Sequence, residues 1–221
     1  MTLELPLTHL YRSVDPAVVA PWLLVLLHGV GSNEADLFGL APAVPGRFHV
    51  LSLRAPYRMG PDAFGWFTFA VRSDGHRTID AEQESASRTL LAQVVPSAAE
   101  QLTVPAERVV VGGFSQGGIM SLSLLLTQPE LMAAALVMHS RLLPEVTPLM
   151  APPEALEGRR LRVSHGTMDP VIPLANAHDI RDHVRELPIE LSYAGFPGGH
   201  EIRPAELAAA MTWLNGLSAD G

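Results

Sequence analysis

The sequence predicts an α/β fold built on a mostly parallel, doubly wound sheet. Short apolar runs rich in β-branched residues alternate along the chain with stretches whose apolar residues recur at helical spacing. This alternation is typical of buried strands covered by amphipathic helices. With 221 residues, 48% hydrophobic and 17% charged, the chain suits one sizeable core better than two. We therefore expect residues 1–221 to form a single domain.

The strands are predicted from apolar runs that end at glycine, proline or polar residues. The first central run, WLLVLL at 22–27, is apolar throughout, which is typical of a strand covered on both faces. The segment at 7–14 has a weaker pattern and is interpreted as an edge strand. The predicted strands, in chain order, are 7–14, 22–27, 48–53, 109–111, 133–139, 161–165 and 189–193.

Helices are predicted where apolar residues recur every three or four positions after a capping residue, a proline or a glycine turn. Asp80 and Gln83 form a capping box for a long helix. Because proline lacks a backbone N–H, we expect Pro96 to kink that helix or end it early. The predicted helices start at Ser32 or Asn33, at Asp80, after Ser115, at Pro173 and at Pro204.

Composition and charge exclude several classes of protein. The formal net charge is −8, from 15 basic and 23 acidic residues, whereas a nucleic-acid-binding face is basic. The apolar runs are far too short to cross a bilayer, and the N-terminal segment lacks the pattern of a secretory signal. With no cysteine, the chain has no disulfide, thiolate metal site or cysteine nucleophile. We expect a cytoplasmic protein without a nucleic-acid partner or a membrane span.

The segment VVVGGFSQGG at 109–118 carries the strongest chemical signal. Gly113, Ser115 and Gly117 fit G-x-S-x-G, a turn in which a strand reverses into a helix and exposes a serine hydroxyl. Glycine suits these positions because a Cβ would hold the strand and the helix apart. The pattern also occurs in ordinary strand-to-helix turns, so it indicates a nucleophile only together with an acid and a histidine.

An acid and a histidine do follow, each at the carboxyl end of a later predicted strand. Asp169 closes the strand at 161–165, and His200 follows a glycine-rich loop after the last strand. The chain order serine, acid, histidine is one of the known orders of a catalytic triad. A serine hydroxyl is a weak nucleophile, so His200 is expected to accept the proton of Ser115 while Asp169 orients the imidazole.

The other titratable residues fit other roles better. Most of the nine histidines lie on predicted strands, loops or exposed helix positions. His139 and His165 end strands near the predicted site and are expected to support it from behind. Metal sites that combine His165 with Asp169, or His178 with His183, lack a recognised ligand spacing, so no metal is predicted.

Backbone N–H groups are predicted to stabilise the tetrahedral oxyanion. One belongs to Gln116, directly after the nucleophile. The other belongs to Val30, in the turn HGVG at 28–31 that follows a buried strand, where sheets of this class bind their ligands. His28 is expected to orient that turn.

Residues 56–80 form a long segment without helical or strand periodicity. A segment of this length in a compact domain is more often functional than idle. Its aromatic residues are expected to form one wall of an apolar pocket. Packing as a plug, or contact with a second copy in a homodimer, stays open as an alternative.

Six motifs are spread over most of the chain: LLHGVGS, RAPY, GWF, VVVGGFSQGG, HGTMDPVIP and FPGGHEI. In combination they resemble the phospholipase/carboxylesterase family of α/β-hydrolases, which includes acyl-protein thioesterases and bacterial carboxylesterases. The resemblance implies a lidless α/β-hydrolase core of eight strands and hydrolysis of carboxylic esters or thioesters without a cofactor. It implies the triad Ser115, Asp169 and His200, with oxyanion donors at Val30 and Gln116.

The resemblance also implies substrate contacts. Trp66 matches an aromatic position that borders the acyl site of the family, and we expect Phe67 and Met168 to bind substrate as well. Where acyl-protein thioesterases carry a small residue and an aromatic before Leu-Pro, this chain has HSRLLP at 139–144, closer to bacterial esterases. This departure favours small substrates over long-acyl chains and acylated proteins.

The sequence therefore predicts a serine esterase that cleaves small or short-acyl carboxylic esters through an acyl-enzyme. A lysophospholipase or acyl-thioesterase acting on longer chains is the alternative, and it requires that the aromatic loop form a groove open at one end. A non-catalytic ligand receptor on the same scaffold is a further alternative. Such proteins usually lose a triad residue, and this sequence keeps all three.

Overall fold

A seven-stranded sheet runs through the computed structural model, which describes residues 2–71 and 77–218. The strands are β1 His9–Arg12, β2 Trp22–Leu27, β3 Phe48–Leu53, β4 Tyr57–Arg58, β5 Phe64–Gly65, β6 Phe69–Val71, β7 Arg77–Ile79, β8 Val109–Phe114, β9 Ala134–Met138, β10 Arg159–Gly166 and β11 Ile189–Phe196. The α-helices are α1 Glu34–Phe38, α2 Ala81–Gln101, α3 Gln116–Thr127, α4 Pro153–Leu156, α5 Leu174–Val184 and α6 Pro204–Gly216.

The main sheet has the order β1-β3-β2-β8-β9-β10-β11. Only β1 runs antiparallel, with His9 opposite Leu53, and the other five pairings are parallel. Among the described residues, the largest insertions into this plan are the two-stranded ribbons β4–β5 and β6–β7. The expected α/β-hydrolase fold, mostly parallel and without a large lid domain, is confirmed.

Helices cover both faces of the sheet because its central strands are apolar on both sides. All six residues of β2 are buried. Every second residue of β2, starting with Leu23, packs into one core with α2, α3 and α5. The residues between them, starting with Trp22, pack on the other face into a second core with α1 and α6. Side chains of a strand point to opposite faces in turn, so a continuous apolar run serves two cores.

Among the described residues the main sheet has seven strands, and not the eight that the resemblance implied. Residues 2–8 instead lie against α2, where Gln101 accepts a hydrogen bond from the backbone N–H of Glu4 at 2.9 Å and donates one to its carbonyl at 3.0 Å. Leu3 and Leu7 are buried in the larger core. Residues 2–8 therefore add to the packing around α2 and not to the main sheet.

Two local expectations are corrected by the structure. α2 continues past Pro96 to Gln101, because burial of the apolar residues on both sides of the proline holds the helix together. The capping box is half formed: Asp80 accepts a hydrogen bond from the N–H of Gln83 at 3.0 Å, but the Gln83 amide accepts one from Thr68. Part of the aromatic segment, residues 72–76, lies outside the described residues.

None of the helices within the described residues combines the length and the apolar character that a bilayer span requires.

Candidate active site

The serine of the glycine-rich turn sits in a strained backbone conformation between β8 and α3. Ser115 has φ +54° and ψ −117°, a region that residues other than glycine rarely occupy. Its N–H donates to the carbonyl of Met138 on β9 at 2.9 Å, which fixes the turn to the sheet. A Cβ on Gly117 would collide with the carbonyl oxygens of Leu27 and His28. The glycine therefore lets α3 start directly against the end of β2.

The three predicted triad residues meet at the carboxyl edge of the sheet. Ser115 Oγ donates to His200 Nε2 at 2.9 Å, and His200 Nδ1 donates to Asp169 Oδ2 at 2.7 Å. These residues follow β8, β11 and β10, which are parallel, so their carboxyl ends share one edge. The spacing is that of a nucleophile, a general base and an orienting carboxylate.

Asp169 is a fully paired, ionised carboxylate. Its second oxygen, Oδ1, accepts the backbone N–H groups of Val171 at 2.8 Å and Ile172 at 2.9 Å. Burial by itself would raise the pKa of Asp169, but the hydrogen bond from His200 and the other donors outweigh it and lower this pKa to about 2. The carboxylate therefore keeps its charge and can stabilise an imidazolium at His200.

The loops that carry the acid and the base are hydrogen-bonded to each other. Thr167 N–H donates to the carbonyl of Phe196 at 2.8 Å, and Met168 N–H donates to the carbonyl of Gly198 at 2.9 Å. These two bonds hold the loop of Asp169 against the loop of His200.

The two predicted oxyanion donors lie beside the serine. Val30 and Gln116 line the same cavity as Ser115. Among the residues that the structure describes, neither backbone N–H donates to another backbone carbonyl outside a helix or strand. Gln116 is the first residue of α3, where an N–H has no partner within the helix. Both groups are therefore available to a negatively charged oxygen.

His28, which the sequence predicts to orient the turn at 28–31, is hydrogen-bonded within and behind that turn. Its Nδ1 donates to the carbonyl of Gly29 at 2.7 Å, and its Nε2 accepts the N–H of Ala55 at 3.0 Å. Burial is the main cause that lowers the pKa of His28, so the ring is neutral. The indole N–H of Trp66 donates to the carbonyl of His28 at 3.0 Å and fixes the turn from the other side.

The side chain of Gln116 holds the aromatic loop against this turn by two hydrogen bonds, a contact that the sequence did not indicate. The side-chain oxygen of Gln116 accepts the N–H of Trp66 at 2.7 Å, and its side-chain nitrogen donates to the carbonyl of Phe67 at 2.6 Å. Phe64 extends the contact, because its carbonyl accepts the N–H of Gly31 at 2.8 Å. No local pattern signals such a contact, since its partners are about 50 positions apart in the chain.

A small cavity of about 30 Å³ opens beside the serine hydroxyl. Its wall is mainly apolar, with Phe67, Ile119 and Ile172, and includes the guanidinium-bearing Arg141. Phe67 thus lies where the sequence placed a substrate contact. Trp66 and Met168 do not line the cavity. Trp66 is fully buried beneath the oxyanion turn, and Met168 is 71% exposed at the surface, because its loop turns the side chain outward while its backbone pairs with the histidine loop.

Two histidines that the sequence placed near the site lie behind the acid. His139 donates from Nδ1 to Asp169 Oδ2 at 3.0 Å, and its Nε2 lies 3.0 Å from Glu206 Oε2. His165 donates from Nε2 to the carbonyl of Ile172 at 2.8 Å. Glu206, the one acidic residue of α6, was not singled out by the sequence, because an acidic residue in the first turn of a helix is common and normally faces solvent.

Ligand atoms of His139, Asp169 and His200 lie within 4.8 Å of one another, a spacing that a metal ion could use. The Nδ1 atoms of both histidines already donate a proton to the same carboxylate oxygen. A metal ligand must offer a lone pair, which a protonated nitrogen lacks. The cluster is therefore interpreted as a hydrogen-bond network.

Comparison with known proteins places the chain in a family. Residues 13–218 match the family model described as Phospholipase/Carboxylesterase. Acyl-protein thioesterase 1 of Neurospora crassa is 28% identical over 172 residues, which cover 75% of this chain and 70% of that protein. Acyl-protein thioesterase 1 homolog 1 of Dictyostelium discoideum is 25% identical over 189 residues, 85% of this chain and 80% of that protein.

Solved structures show the same fold. The Bacillus cereus carboxylesterase superposes with a TM-score of 0.81 at 22% identity and covers 95% of this chain and 94% of its own. The carboxylesterase from Mesorhizobium loti gives 0.76 at 22% identity and covers 89% of both chains.

Proposed function

This chain belongs to the phospholipase/carboxylesterase family of ester hydrolases, and from that premise we propose that it cleaves carboxylic esters of small or short-acyl substrates. The observation that carries the proposal is the hydrogen-bonded series Ser115, His200, Asp169, with contacts of 2.9 and 2.7 Å. This arrangement supplies a nucleophile and a base at one edge of the sheet, next to a cavity and the backbone N–H groups of Val30 and Gln116.

The proposed reaction has two halves. Ser115 Oγ attacks the ester carbonyl while His200 Nε2 accepts its proton, and Asp169 stays ionised to stabilise the imidazolium. The N–H groups of Val30 and Gln116 stabilise the oxyanion, and His200 then protonates the departing alcohol to leave an acyl-serine. In the second half His200 accepts one proton of a water molecule as its oxygen attacks the acyl-serine. The bond between Ser115 Oγ and the acyl carbon then breaks, His200 returns the proton to Ser115 Oγ, and the carboxylic acid leaves.

The size of the cavity supports small acyl groups. At about 30 Å³ it lies far below the ~300–1,000 Å³ of sites that hold drug-sized ligands. Its apolar residues suit an acyl chain of a few carbons, and one missing methylene changes selectivity by about 1–3 kcal/mol. We expect kcat/KM for p-nitrophenyl esters to be highest at acetate or butyrate and to fall for octanoate and palmitate.

Ser115→Ala tests the nucleophile. We expect turnover of p-nitrophenyl butyrate to fall by more than about a thousandfold while the circular-dichroism spectrum and the unfolding midpoint stay unchanged. A fluorophosphonate probe should label the wild-type protein at Ser115, located by mass spectrometry, and should not label the variant. Ser85→Ala, an exposed serine of α2, is the matched control and should keep full activity. Turnover retained by S115A would exclude Ser115 as the nucleophile.

An acyl-thioesterase is the second candidate, because two of the similar proteins are named acyl-protein thioesterases. The same triad attacks a thioester carbonyl, so the site geometry serves both reactions. Oxoesters and thioesters of equal acyl length, from two to sixteen carbons, distinguish the two candidates. A maximum of kcat/KM at long-chain thioesters would favour the thioesterase, and a maximum at short oxoesters the esterase.

Besides the roles of the site residues, other expectations from the sequence stay predictions. They are the single-domain extent 1–221, the cytoplasmic location, the absence of a nucleic-acid partner and the possibility of a homodimer. Gel filtration with light scattering and limited proteolysis would test the first and the last.

A further inference from the structure

A second histidine, which is buried, contacts the same oxygen of the catalytic carboxylate as His200 does. His139, at the end of β9, places Nδ1 3.0 Å from Asp169 Oδ2 and Nε2 3.0 Å from Glu206 Oε2. The side chains of all three residues are at most 1% exposed. The ring therefore bridges two carboxylates, one from the loop after β10 and one from α6, in a site that water does not reach.

Counting protons fixes the charge of this group. Asp169 already accepts His200 Nδ1–H and two backbone N–H groups, so it is ionised and His139 Nδ1 must carry a proton. The contact between His139 Nε2 and Glu206 Oε2 needs a proton as well, because two lone pairs would otherwise face each other at 3.0 Å. Ser164 Oγ, 2.5 Å from the other oxygen of Glu206, donates its hydroxyl proton there. Asp169, His139 and Glu206 together thus carry a charge of −1 and not −2.

The surroundings favour the imidazolium form of His139. Burial opposes its charge, but the hydrogen bonds and charges of Glu206, and then those of the catalytic carboxylate, outweigh burial and raise the pKa of His139. Two other rings face it: His165 is stacked at 5.2 Å between centroids, and His200 lies edge-on at 5.6 Å. Burial lowers the pKa of His165, which is neutral. Arg162, on β10, adds a positive charge that acts on Glu206.

We propose that His139 is a positioning residue of the hydrolytic site, a buried imidazolium that holds Asp169 in the orientation His200 requires and offsets the charge of Glu206 behind the triad. The proposal rests on the proposed function, since it concerns the residues that serve Ser115. If the positive charge were lost, two carboxylates would lie behind His200. The protonated, inactive form of His200 would then be favoured, and hydrolysis would need a higher pH.

The distance sets the size of the effect. The ring centroids of His139 and His200 lie 5.6 Å apart. In an effective dielectric of about 20, one unit charge at that distance shifts the midpoint of a proton-binding equilibrium by about two pH units. The observed displacement is smaller where neighbouring dipoles reorient. We therefore expect a displacement of about one to two units.

The variant His139→Asn tests this without straining the backbone. His139 has φ +50°, a left-handed conformation that asparagine tolerates well, and the asparagine amide can still donate to Asp169. For H139N, the acid limb of the kcat/KM profile with p-nitrophenyl butyrate, between pH 5 and 9, should move upward by about one to two units. His183→Asn, a half-exposed histidine of α5, is the matched control and should keep the wild-type profile.

The double variant H139N/E206Q separates charge from packing. Replacing Glu206 by glutamine removes the second carboxylate, so the charge behind His200 returns to −1 and the acid limb should move back toward the wild-type position. An acid limb in H139N within 0.3 units, roughly the precision of such profiles, of the wild-type value would overturn the proposal. So would a displaced limb that the double variant leaves in place.

A measurement on unsubstituted His139 covers the case in which H139N does not fold. Nitrogen-15 NMR of the histidine rings should show one buried ring with protons on both nitrogens at pH 8, where a free imidazole has lost one. A single ring proton on His139 at that pH would overturn the proposal. Failure of the proposed function looks different: the wild-type protein would then neither hydrolyse esters nor react with the fluorophosphonate, whatever the state of His139.

Discussion

We expect Gln116→Ala to destabilise the protein by uncoupling the aromatic loop from the nucleophile turn. The Gln116 amide is buried and makes two hydrogen bonds, from the N–H of Trp66 at 2.7 Å and to the carbonyl of Phe67 at 2.6 Å. A buried backbone group without a partner costs about 1–3 kcal/mol, so the two together cost about 2–6 kcal/mol. Since residue 116 borders the cavity, water can reach part of the gap. The expected loss in the free energy of unfolding is therefore the lower part of that range, about 2–4 kcal/mol.

The same variant should lower activity although it keeps the backbone N–H of residue 116. The loop that Gln116 holds also supports the turn of the other oxyanion donor, since Phe64 accepts the N–H of Gly31 and Trp66 donates to the carbonyl of His28. Loss of one oxyanion donor costs a factor of about 100–1000 in kcat. A loosened turn loses part of that factor, so we expect kcat to fall by about tenfold to a hundredfold.

Urea unfolding and steady-state hydrolysis of p-nitrophenyl butyrate measure the two effects. Gln93→Ala, an exposed glutamine of α2, is the control and should stay within about 0.5 kcal/mol of the wild type. Gln116→Glu is informative as well, because its carboxylate can accept the N–H of Trp66 but repels the carbonyl of Phe67. The reasoning is refuted if Q116A unfolds like the wild type, or if it is destabilised while kcat stays unchanged.

Three further predictions concern other parts of the molecule. Folding lowers the pKa of Asp169 from 3.8 to about 2. The ionised carboxylate therefore adds about 2 kcal/mol to the free energy of unfolding above pH 4, and this contribution is lost as the pH falls from 4 to 2. Urea unfolding at pH 5 and 2.5 should show this loss in the wild type, and an equal loss in D169N would contradict it. Gly117→Ala should cost at least about 3 kcal/mol, because its Cβ meets backbone carbonyls, whereas Gly216→Ala, with open space around its Cβ, should cost nothing measurable by thermal unfolding. Trp66→Phe removes the hydrogen bond from the indole N–H to the carbonyl of His28. The free energy of unfolding in urea should fall by about 1–2 kcal/mol, and kcat should fall as well. A wild-type kcat would show that the indole N–H does not support the oxyanion turn.

The elements that the sequence predicted well are those whose signal is local. The bounds of β2 and β3 match the predicted runs 22–27 and 48–53, since an uninterrupted apolar run between polar turns admits few other structures. The position of Ser115 in the turn between β8 and α3 was predicted in the same way, because the strand, the glycines and the apolar helix around it form one continuous pattern. The edge of the sheet was less predictable. Residues 2–8 carry no signal for their contact with α2. The implied eighth strand of the main sheet was wrong.

The contacts that the sequence missed join residues that lie far apart in the chain. Gln116 meets the aromatic loop 50 positions away, and His139 meets Glu206 67 positions away. A glutamine on a helix or a histidine at a strand end looks the same in the sequence whether it is buried in a network or exposed to water. The outward turn of Met168 and the burial of Trp66 were missed for the same reason.

The sequence by itself determined the fold class, the order of the strands along the chain, and which serine, acid and histidine end at the carboxyl edge of the sheet. Periodicity and glycine placement are local properties, and parallel strands bring their ends together. The tertiary structure alone decided which groups surround that edge: the amide clamp on the aromatic loop, the small cavity, and the imidazole between two carboxylates. Those contacts depend on the distances between helices and loops that only the packed core sets, and no stretch of neighbouring residues encodes them.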